Sequence, residues 1–457
     1  MNPTNQLAAF VATTTYGDIP PQIRQLARYC FRDHLGVGLL GSQSESGEKM
    51  HQYVSVSHKG TTATVLGGET ATPQGAALAN GTFAHVDDYD DTYESIVIHP
   101  STPVVPAALA AAEAEDSSAE ELLTALVVGT EVLFRVGHSV YPEHYDNGWH
   151  LTATVGTFGA AAAAASIYDL SESVIEHAFG IAGSAAPTTL KRNMGSTIKL
   201  THPGQGAQRG IEAALMARDG WTANTTIFEG KNGYPAVMAP GRENPTVDVE
   251  GLGEQWSLTD VGFKLYPSAI VTHAGIYALE ALLEEKGIDG DDLESVEVFV
   301  DETIDVLKHP ELAGPFEAKF SFEFCLSLIA TYGSVDPEHF SQAFLEDEEL
   351  NRQMETVTVI PEAGLFGADY FGYGARIRVE TTAGESYTRE QRTPPAMPYE
   401  ASDEAALESK FFECAAAVYD DEKVAQLNER LLGLGETHTF EDVRSILTSD
   451  ALSDIRT

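Results

Sequence analysis

"PVVPAALAAAEAEDSSAEELLTALVVGTEVLFRVG", residues 103–137, carries apolar residues at three- and four-residue spacing on both sides of a short acidic, serine-containing break. That is the pattern of two successive helices. The same periodicity, cut by short Gly, Pro or Asp breaks, runs through residues 20–41, 72–91, 171–186 and 205–220. Strand signals are scarce over this part, so an all-helical domain is expected for residues 1–262. After about Phe263 the character changes. "SVEVFVD" (295–301), "TVTVIPE" (356–362) and "ARIRVETTAGESYTRE" (375–390) alternate β-branched and polar residues, and the last contains a glycine turn that reads as a hairpin. Helical pattern at 272–287 and 320–333 lies between them, so residues 263–398 are expected to form a smaller α+β lid domain. Residues 399–457 turn helical again and are expected to return to the first domain, making it discontinuous. The fold class is mostly α, and 457 residues exceed what one core normally supports.

Composition excludes several function classes. With 69 Asp+Glu against 27 Lys+Arg and a formal net charge of -42, the chain would repel nucleic acid and anionic membrane surfaces. A 43% hydrophobic content still allows a large core, so the acids must be spread over the surface, a pattern suited to concentrated salt. We read it as a halophile's protein. Cys30, Cys325 and Cys414 are scattered, without Cys-x-x-Cys spacing, which argues against disulfides, structural zinc or an iron–sulfur cluster; they are read as buried small hydrophobes. Residues 1–20 lack a basic stretch followed by an apolar one, so a cytoplasmic location is expected. The alanine-rich run at 151–170 approaches membrane-spanning length, but its residues are small and include threonines, so it reads as a packed core helix.

The densest chemistry lies at 85–101, "HVDDYDDTYESIVIHPS". A helix continued through this stretch would place His85, Asp88 and Thr92 on one face, with Asp87, Asp90 and Asp91 pointing elsewhere. A second helix would open at about residue 101, capped by Ser101 or Thr102, with His99 just before its anion-attracting N-terminus. The aspartates could hold magnesium, line the acidic surface, or serve metal-free acid/base work. No second carboxylate cluster appears on another expected core helix, which weighs against a metal cage.

Positive charge is scarce, yet "TTLKRNMGSTIKLTHPGQGAQRG" (188–210) gathers Lys191, Arg192, Lys199, His202 and Arg209 around a glycine-rich turn before a helix. "GQGAQRG" superficially matches a dinucleotide fingerprint, but no strand precedes it, so that reading is rejected. A carboxylate cradle fits better. Lys191 and Arg192 also suit plain solvation, whereas Lys199 sits in the apolar-flanked "IKL" and suits it poorly. His150 precedes the alanine-rich helix, and His273 stands at the start of another after the domain boundary. A single such histidine is more often structural than catalytic. Several of them beside one acidic and one basic cluster form a constellation suited to proton transfer near neutral pH.

These residues carry a resemblance. "FAHVDDYDDTY", "HPSTPVVPAALAAAE", "WHLTATVGTFGAAAAAA" (149–165), residues 196–234, "KLYPSAIVTH" (264–273) and "AKFSFEFCLSLIATYG" (318–333) look like the successive blocks of the MmgE/PrpD family, in family order over nearly the whole chain. That family includes 2-methylcitrate dehydratase, cis-aconitate decarboxylase and iminodisuccinate epimerase. The resemblance implies a helical domain built from both chain ends, an α+β lid, a homodimer, and no metal or organic cofactor. It places active-site positions on Asp88, Thr92, His99, His150, Lys199 and His273. A further position, usually tyrosine in a Ser-Phe-x-Tyr type motif, is Phe324 here. This departure removes a hydroxyl and puts in doubt the direct transfer of any one member's substrate.

The chemistry shared by these members is proton movement at a carbon next to a carboxylate, with fixed cations stabilising the developing charge. The expectation is therefore a lyase on a di- or tricarboxylic acid, foremost a dehydratase of 2-methylcitrate or a similar citrate-like acid, with epimerase and decarboxylase as variants. His99 and His150 are the expected acid/base pair, Asp88 the carboxylate that orients one imidazole, and Lys199 the clamp, aided by His202 or His273. Thr92 and Phe324 are expected against the substrate. The non-enzymatic alternative is a carboxylate-binding protein that has lost turnover.

Overall fold

The computed structural model describes residues 2–302, 304, 312–367 and 372–448. Two compact units emerge. The first comprises residues 1–86, 90–263 and 404–457, and the second comprises 87–89 and 264–403.

The first unit is a helical assembly. In chain order it contains α1 (Pro3–Thr13), α2 (Pro21–Ser42), α3 (Glu45–Ser57), β1 (Lys59–Thr64), β2 (Thr70–Ala71), α4 (Pro73–Ala84), α5 (Ser101–Glu115), α6 (Ala119–Val140), α7 (Glu143–Asp146), α8 (Leu151–Thr154), α9 (Gly156–Ile167), α10 (Glu172–Ala185), α11 (His202–Arg218) and α12 (Tyr234–Met238). Local chemistry sets the helix starts. Ser118 and Glu121 form a reciprocal capping box at α6, and Thr72 accepts the Gly75 N–H ahead of Pro73 at α4. The expected all-helical character needs one correction, because β1 and β2 pair into a short antiparallel ribbon. Its sequence, "KGTTAT", has no apolar alternation, and only Ala63 and Thr64 of β1 are buried, so no periodic signal marks it.

At the centre lies α9, whose residues Ala160–Ala165 are wholly buried. Small residues let its neighbours approach closely. A Cβ on Gly210 of α11 would lie 2.3 Å from Ala160 Cβ, and one on Gly129 of α6 would lie 2.8 Å from the Gly159 carbonyl. Helix α6 has the length and apolarity to cross a membrane, but 94% of its apolar window is buried inside the protein. All three cysteines are buried and none is in a disulfide.

The C-terminal helices α18 (Glu404–Ala415), α19 (Asp421–Leu432) and α20 (Phe440–Leu447) belong to this first unit. Polar contacts fasten them to α2. Lys410 Nζ lies 2.6 Å from Asp33 Oδ1, with both side chains 3% exposed, and Arg28 Nε donates to the Leu434 carbonyl at 2.7 Å.

The second unit holds α13 (Ile270–Lys286), β3 (Leu293–Asp301), α14 (Pro315–Ala318), α15 (Phe322–Tyr332), α16 (Gln342–Leu345), α17 (Glu348–Met354), β4 (Val357–Glu362), β5 (Ala375–Thr381) and β6 (Ser386–Gln391). Its sheet has the order β4-β3-β5-β6. Strands β3 and β4 are parallel and joined through helices, whereas β5 and β6 form the expected antiparallel hairpin. Val296, Val298 and Val300 alternate inward with Ile377 and Val379, and pack with Leu279, Phe322 and Leu326 from α13 and α15.

Residues 87–89 group with this unit through specific bonds. Lys319 Nζ donates to the Asp87 and Pro267 carbonyls, Lys264 Nζ to the Asp88 carbonyl, and Tyr89 Oη to the Leu265 carbonyl. This three-residue excursion was not expected from the sequence.

Candidate active site

The site is built on the loop between α4 and α5. Helix α4 stops at Ala84, with His85 as its C-cap. Asp88 adopts φ +53°, a left-handed conformation that Asp tolerates better than most residues. The expected helix through Thr92 is therefore absent, and the shared face of His85, Asp88 and Thr92 with it. The reason is that the carbonyls a continuing helix would use internally are taken by the buried amines of Lys264 and Lys319.

Of the remaining acids of this stretch, expected to be solvated or at a helix end with Asp91 the one to find a structural partner, two are buried. Asp90 and Asp91 are each 1% exposed. Asp90 Oδ2 lies 2.8 Å from His85 Nδ1 and 3.1 Å from His99 Nδ1. Burial works to raise the Asp90 pKa, but the two imidazoles hold it well below the usual carboxylate range. Asp91 accepts the Ser101 N–H at 3.1 Å and the Ser101 hydroxyl. Burial, which outweighs those bonds, pushes its carboxyl up to about 8. Helix α5 consequently starts at Ser101 without a side-chain cap from Ser101 or Thr102, since the Ser101 hydroxyl is turned to Asp91. Asp87 is half-buried beside Lys319, and the Glu94 side chain lies outside the described residues.

Four imidazoles gather in the first unit. The His85 ring meets His99 edge-on at 4.8 Å between centroids and stacks near His150 at 6.0 Å. His150 Nδ1 lies 3.0 Å from His202 Nδ1, so one donates and the other accepts. Lys199 is buried nearby, in the turn before α11. Burial, reinforced by the Lys199 ammonium, depresses His202 to about 4 and His150 well below the ordinary imidazole value. His85 falls to about 4 for the same first reason, with Asp90 working the other way. At neutral pH these three rings are neutral and competent to accept a proton.

The fold thus brings His99, His150, Lys199 and His202 together, and adds His85 and Asp90. Thr92 lies beside them, but its hydroxyl donates to the Ile98 carbonyl at 3.3 Å and its N–H to the Gly262 carbonyl. It shapes the turn leading to His99. Asp88, His273 and Phe324 belong to the second unit. Asp88 Oδ1 pairs with Lys264 Nζ at 3.2 Å, while Asp90 Oδ2 lies within 3.1 Å of both the His85 and the His99 imidazole. His273 sits in α13 with Nε2 3.2 Å from the Ser268 carbonyl, its ring edge-on to Tyr266. Phe324 is wholly buried in the second core against Phe340.

The basic segment divides. Lys191 lies over the Tyr145 ring, Arg192 is exposed, and Arg209 pairs with Glu212 at the surface. Gly204 and Gly206 stand inside α11 rather than in a turn before it. A Cβ on Gly204 would lie 2.2 Å from the Leu78 carbonyl, so these glycines serve helix packing, and the expected glycine turn before the helix is absent.

Sequence reasoning missed Asp90, Lys264 and Lys319. Like Lys199, Lys264 in "FKL" and Lys319 in "AKF" are lysines between apolar neighbours in a cation-poor chain. Nothing local distinguishes Asp90 among five neighbouring acids.

His85, Asp88, Asp90 and His99 offer ligand atoms within 4.8 Å of one another, a spacing compatible with a transition metal. With both Nδ1 atoms directed at Asp90, the Nε2 atoms of His85 and His99 are the nitrogens that could ligate it. Elsewhere, a cavity of about 820 Å³ in the second unit is lined by Glu280, Glu284, Asp289, Asp291 and Glu349 with no Lys, Arg or His, and is unsuited to a carboxylate.

Residues 5–246 match the MmgE/PrpD N-terminal domain and residues 266–434 the MmgE/PrpD C-terminal domain. The chain belongs to the MmgE/PrpD family. It is 26% identical to a cis-aconitate decarboxylase-like protein, oryM, of Aspergillus oryzae over 98% of this chain and 96% of that one. It is 28% identical to the cis-aconitate decarboxylase of Homo sapiens over 78% of this chain and 76% of that one. Against the Mus musculus cis-aconitate decarboxylase it is 31% identical, over 68% and 66%. Within this MmgE/PrpD chain, the imidazole cluster and Lys199 all fall in the part that matches the N-terminal domain.

Proposed function

We propose that this protein is a lyase that moves a proton at a carbon beside a carboxylate of a di- or tricarboxylic acid, using its own side chains and no metal or organic cofactor. The observation that carries this reading is a buried group of neutral imidazoles beside one lysine ammonium. A polyanionic substrate entering such a place meets a fixed cation, and its charge raises the imidazole pKa values, so a proton is taken up along with the substrate. The rings then work as acid and base near neutral pH.

Two bond changes suit this machinery. In decarboxylation of a cis-aconitate-type acid, the C–CO2 electron pair becomes the new double bond while an alkene carbon takes a proton from an imidazolium. The names of the three relatives favour this one. In dehydration of 2-methylcitrate or a similar acid, an imidazole removes the C–H proton, its electron pair forms the double bond, and the hydroxyl leaves protonated as water. The absence of tyrosine at Phe324 favours keeping this second reading, together with iminodisuccinate-type epimerisation, in the same trial.

The decisive experiment incubates the protein with cis-aconitate, 2-methylcitrate, citrate and amino-dicarboxylates in heavy water, with and without chelator, and follows each by NMR. Loss of CO2 or water, or deuterium exchange at a carbon beside a carboxylate, undiminished by chelator, is expected for one of them. Tight binding with no exchange in any of them would instead establish a binding protein, and loss of activity with chelator would establish a metal.

A further inference from the structure

We infer that Asp90 is the positioning residue of this site: anchored by His85, it fixes the tautomer of His99 and makes His99 Nε2 the atom that takes up and returns the proton. This deepens the lyase reading and rests on it for the catalytic part.

The geometry at His99 is restrictive. Its Nδ1 lies 3.1 Å from Asp90 Oδ2 and 3.1 Å from the Asp91 carbonyl oxygen. Both neighbours only accept hydrogen bonds when Asp90 is ionised, so the hydrogen must sit on Nδ1. In the neutral ring the lone pair then lies on Nε2. The His99 N–H, bonded to Thr152 Oγ1 at 3.3 Å, holds the backbone of the same residue.

Asp90 is itself held in place. His85 Nδ1 approaches the same Oδ2 at 2.8 Å, and neither side chain has appreciable exposure. His85 Nε2 and Asp90 Oδ1 have no hydrogen-bond partner among the described residues. Burying an ionised carboxylate is costly unless it is paired, and replacing a buried ion pair by well-packed apolar residues is often neutral or stabilising, so stability alone gives little reason for the arrangement. A proton-transfer role does give one. When His99 Nε2 gains a proton, the imidazolium forms 3.1 Å from a carboxylate already in position, and the site gains no unpaired charge. His99 also has the exposure the role requires, 13% for its side chain against 0% for His85. His150 differs, because its Nδ1 faces another imidazole, and among the described residues no carboxylate is seen to fix which ring carries the hydrogen.

The test uses full-length protein with ¹⁵N-labelled histidine. Long-range ¹⁵N–¹H correlation without substrate should show His99 and His85 with protonated Nδ1 and unprotonated Nε2, each assigned by its loss in His99→Gln or His85→Gln. In Asp90→Asn, the His99 signals should move to a tautomer mixture, while kcat falls about 10²-fold with KM changed less than about threefold. Asp90→Glu should recover part of the kcat. An Nε2–H tautomer at His99 in the wild type overturns the inference, even if the variant fails to fold. So does Asp90→Asn with kcat within about threefold of wild type. If none of the acids is turned over, the lyase reading falls, and the tautomer result still decides the role of Asp90.

Discussion

Lys199 shows how a single residue gains its meaning from scarcity. In a chain with 27 basic residues against 69 acidic ones, a lysine that is buried instead of solvating the surface is doing electrostatic work. Replacing it by Met keeps the stem and removes the charge. If the lyase reading holds, Lys199→Met should lower kcat/KM about 10²–10³-fold, and His150→Ala should do at least as much, both with unchanged circular dichroism. Full activity in both would sink the assignment. Asp91 gives a second residue-scale expectation with the opposite outcome. With its pKa near 8 it is protonated at neutral pH, so Asp91→Asn should change stability by less than about 1 kcal/mol. Asp91→Ala, which leaves Ser101 unpaired, should cost about 1–3 kcal/mol. Urea denaturation of the two variants settles it. His99, His150 and Lys199 were legible because each stands out locally as a residue type in an unusual setting. Asp90 was not, because five acids within eight residues look alike until folding buries some of them.

At the scale of elements, the helices are fastened by close approach. Helices α4 and α11, which carry His85 and His202 at their ends, touch where Gly204 meets the Leu78 carbonyl. A methyl group 2.2 Å from a backbone oxygen must push the helices apart, so Gly204→Ala should cost about 1–3 kcal/mol and lower activity together with stability. Gly17→Ala, whose nearest new neighbour is a side-chain oxygen at 3.7 Å, should stay within about 0.5 kcal/mol. Thermal melts of both proteins make the comparison; equal Tm values would refute the packing role. The strands of the second unit were readable from alternation and the hairpin from its glycine. The β1–β2 ribbon, with no alternation, was not. The end of α4 was missed for another reason: the amines that capture the Asp87 and Asp88 carbonyls lie more than 170 residues away in sequence.

For the whole molecule, titration sets the response to pH. His34 is held near 3, His85, His144 and His202 near 4, and His150 well below its ordinary value, each first by burial. These values are depressed, so as the pH falls below about 6.5 the unfolded chain binds protons that the folded one refuses, and stability declines toward pH 4. Asp91 acts in the opposite sense, because its raised pKa favours the fold as pH drops from 8 toward 3.8. The five imidazoles outnumber the three carboxyls with raised pKa, Asp33, Glu113 and Asp91, so the denaturation midpoint at pH 5 should be lower than at pH 7 when both are measured in high salt. An equal or higher midpoint at pH 5 would contradict the buried-imidazole account. The formal charge of -42 sets the response to salt. Screening its self-repulsion should raise Tm between about 0.1 M and about 1 M KCl; a flat or falling Tm would remove the proposed adaptation to concentrated salt.

The sequence by itself determined the mostly helical class, the α+β character of the later segment, the family, and the histidines and lysine worth testing. These follow from periodicity and from the scarcity of certain residue types, which are local properties. Only the tertiary structure decided which acids are buried, that Asp90 pairs with the imidazoles of His85 and His99, and that Gly204 and Gly206 pack helices. Those outcomes depend on which distant groups supply a hydrogen bond, a charge or a van der Waals surface, and such partners are chosen by the folded chain as a whole.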